Sequence, residues 1–177
     1  MPTSSRMNKI MVKNKFPKRK KLRLQGYDYS SNGLYFVTLC TEDKKPILST
    51  IVGDDAHIVP KKIVLKSYGK IVENYINRIN TVYDNISVEN YIIMPNHIHL
   101  LIFIDKYKSG TMWASSPTKL GSVIRSLKTM VTKEIGFSIW QRSYYDEIIR
   151  DEKHFQYVWN YIEYNALKEY PLKEENI

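Results

Sequence analysis

Two apolar runs, Ile86 to Met94 and His97 to Ile104, stand almost end to end in this chain, with only Pro95-Asn96 between them. Both are rich in isoleucine and aromatic residues, which suit a pleated, half-buried surface. A two-residue connection cannot carry the long crossover that a parallel pair needs, so the runs predict a tight antiparallel pair. An isolated hairpin is marginal in water, and further elements must cover it. A third run supplies one of them: Leu34 to Thr41, aromatic and β-branched, follows the turn signal Ser30-Ser31-Asn32-Gly33.

The remaining elements read by period. Tyr68, Ile71, Val72, Tyr75, Ile76 and Ile79 fall on one stripe of a helix that begins near Lys66. A second helix starts at Pro117, carries the stripe Leu120, Val123, Ile124, Leu127, Met130 and Val131, and ends at Gly136. Loops are expected at Lys44-Lys45-Pro46 and from Asp105 to Ser116, with a short strand at His57-Ile58-Val59. Phe137 to Ile149 reads as extended, and Asp151 opens a last helix that runs to about Leu167. The order β, α, β, β, α, β, α predicts an α+β sandwich with an antiparallel sheet. It is of the split βαβ, ferredoxin-like type that RNA-recognition modules also use.

Composition bounds the partners. The apolar runs are far shorter than the roughly 18 residues of a membrane-spanning helix, so no membrane partner is expected. The single Cys40 excludes an internal disulfide and a cysteine-built zinc site, which fits a reducing cytoplasm. The chain carries 27 Lys plus Arg against 18 Asp plus Glu, a net charge of +9. Nine of the basic groups, Arg19, Lys20, Lys21 and Arg23 among them, lie in residues 1–23 without a single acid. The 18 basic groups that remain match the 18 acids. Such a block cannot pack, which predicts a basic, flexible arm over 1–23 that seeks a polyanion. A folded domain over 24–170 and a short tail over 171–177 complete the organisation.

Three groups of residues could carry chemistry. On a strand, His97 and His99 share a face while Ile98 points away, a geometry that suits two ligands of one metal ion. A pair of hydrogen-bonded strand histidines is the commoner use of such a spacing, and buried histidines need partners in either case. On the last helix, Phe155, Val158, Trp159, Ile162 and Ala166 form an apolar face. His154, Tyr157, Tyr161, Tyr164 and Asn165 collect on the other side. A tyrosine is a usable nucleophile only if its phenol, normally near pKa ~10, is activated, and periodicity does not choose among three. Between these groups, Arg142 and Arg150 could hold phosphates, and Trp140, Tyr144 or Tyr145 could stack on bases. Alternating aromatics also belong to any half-buried strand. Lys119, Arg125 and Lys128 give the second helix a basic side that could grip a phosphate backbone.

Taken in order, these residues resemble a known family. Asp28-Tyr29-Ser30-Ser31 stands before Tyr35-Phe36-Val37-Thr38, and Met94-Pro95-Asn96-His97-Ile98-His99-Leu100-Leu101 comes next. Trp140-Gln141 with Ile149-Arg150, and Tyr161-Ile162 with Asn165, complete the set. The likeness, over roughly residues 23–170, is to the REP-associated tyrosine transposases, relatives of the single-tyrosine HUH transposases of bacterial insertion sequences. It implies metal-dependent nicking and rejoining of single-stranded, hairpin-containing DNA through a covalent 5′-phosphotyrosine. By position it implies Tyr161 as nucleophile, His97, His99 and Asn165 as ligands of Mg²⁺ or Mn²⁺, and Trp140 and Gln141 at the DNA. It further implies a cytoplasmic, nucleoid-associated protein, as a monomer or a homodimer. Glu147 stands where the family often has histidine, and Ala166 where it often has proline.

Two other readings use the same fold. A non-catalytic binder of single-stranded nucleic acid would stack bases on Tyr35 and Phe36 and leave the histidines and Asn165 without a role. A metal-dependent hydrolase would use water in place of tyrosine and form no covalent adduct.

Overall fold

In the computed structural model, which describes residues 27–53, 62–108 and 119–164, the run after the Ser30–Gly33 turn forms β1 (Gly33–Cys40). A short hairpin follows, β2 (Ser49–Val52) and β3 (Lys62–Leu65), and then α1 (Ser67–Val82). The two runs joined by Pro95-Asn96 are β4 (Ile86–Ile93) and β5 (His97–Ile104). After them come α2 (Leu120–Ile135), β6 (Tyr145–Ile149) and α3 (Glu152–Tyr164).

The main sheet is antiparallel throughout, in the order β4-β5-β1-β6. Strand β5 lies between β1 and β4, the two strands that α1 connects. Strand β1 lies between β5 and β6, which α2 connects. Two interleaved split βαβ units of this kind are the ferredoxin-like arrangement that the alternation of periods predicted. The histidine-bearing strand is therefore central.

Alternation sorts the sheet into two faces. Tyr35, Val37 and Leu39 of β1 and Ile98, Leu100, Ile102 and Ile104 of β5 pack against the buried stripes of α1 and α2. Phe36 and Leu101 point the other way and meet Val158, Tyr161 and Ile162 of α3. The described residues thus form three layers, with α3 their one element on the second face. This is why β5 is apolar almost without interruption: a strand covered on both faces has no solvated side on which to alternate.

Three expectations change. The hairpin β2–β3 was not anticipated, because four-residue strands are too short to show a period, and the strand expected at His57–Val59 lies outside the described residues. Helix α2 begins at Leu120, not Pro117: Lys119 is still extended, with φ −86° and ψ 143°. The Leu120 N–H donates to the Tyr29 carbonyl at 3.2 Å, which ties the helix start to the segment before β1. From Phe137 to Ile149 only β6 is a strand, and Trp140 makes a single bridge to Thr41. Gly136 does end α2, in the left-handed region at φ 93°, its N–H donating to Thr132 O. The basic arm, Asn165 and the C-terminal tail lie outside the described residues. Among those residues no helix is long and apolar enough to cross a membrane.

Candidate active site

The second face of the sheet gathers the chemistry. His97 and His99 project from β5 with ring centroids 4.7 Å apart. His99 is 2% exposed. Phe36 of β1 stacks on its ring at 5.0 Å. Burial disfavours a charged imidazole: it holds His99 well below its usual range, with help from His97. Burial, and secondarily the Lys44 charge, pushes His97 down to about 4. Both rings are neutral at neutral pH and keep a nitrogen lone pair.

Their neighbours determine which nitrogen that is. His97 Nδ1 lies 2.7 Å from Asn96 Oδ1, an acceptor, so Nδ1 carries the proton and Nε2 the lone pair. His99 Nδ1 lies 2.9 Å from Thr38 Oγ1. On its other side, His99 Nε2 is 3.2 Å from the Tyr161 hydroxyl. A phenol is a better donor than the weakly acidic N–H of a neutral imidazole. Nδ1–H therefore donates to Thr38, and Tyr161 donates to Nε2.

This is the pattern seen around ligating histidines, in which the non-ligating nitrogen is oriented by a neighbouring acceptor. Two neutral imidazoles fit a divalent cation: His97 presents the Nε2 lone pair, and at His99 a cation would take the Nε2 lone pair that now accepts from Tyr161. Among the described residues no third His, Cys, Asp or Glu joins them. A further donor would have to come from elsewhere, and the expected Asn165 lies just past the described end of α3.

The tertiary structure also separates the three tyrosines that helical spacing left equivalent. Tyr161 is 5% exposed and packs edge-on against both Phe36 and His99. Tyr157 and Tyr164 are 39% and 43% exposed. The division of α3 into an apolar face and a tyrosine-bearing face is corrected accordingly. Its buried stripe is Val158, Tyr161 and Ile162, whereas Phe155 and Trp159 are only partly buried. The helix is rotated because the sheet face beneath it is not wholly apolar: it offers His99, with which a phenol can bond.

No family model matches the chain. An uncharacterized protein of Haemophilus influenzae is 31% identical to it over 167 residues, covering 84% of this chain and 88% of that protein. A second Haemophilus influenzae protein, named "Putative REP-associated tyrosine transposase", is 27% identical over 154 residues, covering 80% of this chain and 74% of its own. A solved REP-associated tyrosine transposase bound to a REP hairpin superposes with a TM-score of 0.59 at 17% identity, covering 85% of this chain and 76% of that one. The chain is thus similar in sequence to a putative REP-associated tyrosine transposase and shares the fold of a solved one.

The other residues expected at DNA are dispersed over the structure. Arg150 lines a cleft of about 370 Å³ at the start of α3, with Leu34, Phe103 and Phe155. Arg142 is exposed in the loop before β6, and Gln141 is half-buried, its N–H donating to Cys40 O at 3.0 Å. Lys119, just before α2, and Arg125 on it are exposed in the layer across the sheet from the histidines. Lys128 is committed inward, its ammonium donating to the carbonyls of Gln141 and Ser143 at 2.8 and 2.9 Å. Trp140 is 5% exposed and part of the core, so its ring is no stacking surface. Arg19, Lys20, Lys21 and Arg23 lie outside the described residues. Glu147 pairs with His154 of α3 at 3.4 Å, so an imidazole stands beside this position from the helix side. Thr38, Asn96 and Phe36 carry no signal of their role in sequence, since only the register of β1 on β5 brings Thr38 opposite His99.

Proposed function

We propose that this protein is a transposase of the REP-associated tyrosine type, which cleaves and rejoins single-stranded DNA through a covalent 5′-phosphotyrosine on Tyr161. The observation that carries the reading is the buried Tyr161 hydroxyl hydrogen-bonded to His99 Nε2, in the only tyrosine of α3 that turns toward the histidines. Phe36 and the apolar floor hold the phenol ring in one orientation, which removes the entropy cost of aiming a nucleophile. In the reaction the Tyr161 oxygen bonds to the scissile phosphorus and the bond to the 3′-oxygen breaks. That oxygen leaves with the electron pair and takes up a proton, while the phenol proton is lost. One phosphodiester replaces another, so the step is reversible and needs no nucleotide triphosphate. Reversal onto a different 3′-hydroxyl is strand transfer.

His97 and His99 through Nε2, with Asn165 as third donor, would hold Mg²⁺ or Mn²⁺, and a cation bound there supplies charge to polarise the scissile phosphate. Hairpin DNA is the substrate class we infer, because the solved relative is one bound to a REP hairpin.

The test is a denaturing gel after incubation of the protein with a labelled single-stranded hairpin and Mg²⁺ or Mn²⁺. A protein–DNA adduct should form, survive in Tyr157→Phe and Tyr164→Phe, and vanish in Tyr161→Phe. Cleavage that persists in Tyr161→Phe would instead favour a water nucleophile, and binding without cleavage a non-catalytic protein.

A further inference from the structure

Helix α3 roofs only part of the active-site face. At its start, Glu152 and Phe155 line the cleft with Gly33, Leu34 and Ile149. At its end, Asn90 of β4 donates to Glu163 at 3.4 Å. The helix therefore crosses the sheet diagonally, and no described residue covers one corner, where β1 and β6 meet the start of β5. Register puts Thr38 opposite both His99 and Tyr145, and Cys40 opposite His97. Directly opposed residues share a face, so Tyr145 lies in the same cross-strand row as His99, two strands away. Tyr145 is 36% exposed there, while Tyr144 beside it packs against the core on the other face. The loop that delivers Tyr145 is pinned by Lys128 through the carbonyls of Gln141 and Ser143.

A strained turn borders the same corner. Asp43 and Lys44, immediately after β1, both have positive φ, at 55° and 53°. Consecutive left-handed residues other than glycine persist only where their surroundings over-determine them. Here the Thr41 hydroxyl lies 2.9 Å from the carbonyl oxygens of both Lys45 and Asn96, and the Glu42 N–H donates to Ile139 O at 2.8 Å. The Asp43 carboxylate is taken by Lys45 at 3.4 Å. Cys40, the register partner of His97, ends β1 four residues before Lys44, so this turn stands at the histidine end of the sheet. A cation held by backbone strain next to a pair of imidazoles suited to a cation is electrostatically unfavourable by itself. An anion lying between them removes the conflict, and in a DNA-processing enzyme that anion is a phosphate.

We propose that this corner seats the unpaired nucleotide next to the scissile phosphate, with Lys44 on its phosphate and Tyr145 stacked on its base. Rows on one face of a strand are about 7 Å apart, so the Tyr145–Thr38–His99 row and the Cys40–His97 row together span one extended nucleotide, and the Lys44 turn follows directly after the second row. Stacking on a lone tyrosine is sequence-tolerant, since every base presents a π-face. Lys44 and Tyr145 are thus positioning residues for the reaction, and the assignment rests on the reading that Tyr161 marks the scissile phosphate.

The experiment measures binding by fluorescence anisotropy, without added metal, for a hairpin carrying a single-stranded flank and for the same hairpin trimmed flush. Binding needs no chemistry, so this result stands apart from whether Tyr161 forms an adduct. Tyr145→Ala should weaken binding of the flanked hairpin about tenfold, with Tyr145→Trp restoring it. Lys44→Gln should weaken it several-fold and lower the slope of log K against log salt by about one. Neither change should affect the flush hairpin. Wild-type affinity of both variants for the flanked hairpin, or an equal loss on both DNAs, would overturn the proposal. As an independent readout, Lys44→Arg should keep the salt slope that Lys44→Gln loses. A slope unchanged in Lys44→Gln excludes the phosphate contact.

Discussion

A neutral imidazole carries one proton, and whatever binds Nδ1 decides what Nε2 can do. Thr38 plays that part for His99, and its hydroxyl is separable from its shape. Thr38→Val keeps the β-branched bulk but leaves Nδ1–H without its acceptor, at a cost of about 1–3 kcal/mol in stability. Under the proposed metal site, titration calorimetry should show Mn²⁺ affinity lower by at least about tenfold in Thr38→Val. Unchanged affinity would mean that the hydroxyl does not orient the ring. The same burial makes stability depend on pH. His97 titrates near 4 in the folded chain against 6.5 for an exposed group, and His99 is lowered too. Between those values the unfolded chain binds more protons than the folded one, so stability rises with pH. Unfolding midpoints in urea should therefore be highest above about pH 6.5 and fall as the pH drops toward 4, with a shallower fall in His97→Gln. A flat profile over that window would contradict the buried, neutral state of the pair.

At the level of elements, α1 and α2 were legible because each buries one stripe against one face, and a 3.6-residue period records this directly. Helix α3 was legible as a helix but not in its rotation, since Tyr161 counts as polar in any pattern and yet is buried against His99 and Phe36. The hairpin β2–β3 left almost no periodic trace, but it sets a tight packing constraint. Its preceding residue, Leu48, is fully buried, and a Cβ placed on Gly69 of α1 would stand 2.1 Å from the Leu48 carbonyl oxygen. That oxygen is backbone and accepts from the Lys66 N–H at 2.9 Å, so it cannot swing aside. Gly69→Ala should cost about 2 kcal/mol or more despite the usual helical advantage of alanine. In a calorimetric melt that is a Tm lower by roughly 5 °C. A Tm that rises would show that the hairpin can draw back from the helix.

For the whole molecule, the formal charge divides into two parts. The net +9 resides in residues 1–23, and the remainder of the chain is formally balanced. Removing residues 1–22 should weaken DNA binding and flatten its salt dependence, while adduct formation at saturating DNA continues. Loss of the adduct even at saturation would mean that the arm helps build the site. Sequence alone determined the order of the main-sheet strands and the three helices, and the concentration of basic charge in residues 1–23, because these are recorded in period, turn chemistry and charge over neighbouring residues. The motifs around His97, Tyr161 and Arg150 were enough to suggest the family. Only the tertiary structure decided which tyrosine meets the histidines, that Trp140 and Lys128 turn inward, and that Thr38, Phe36 and Tyr145 share the site's face. Those facts depend on strand register and helix rotation, which bring together residues as far apart in the chain as Phe36 and Tyr161 and leave no local pattern to read.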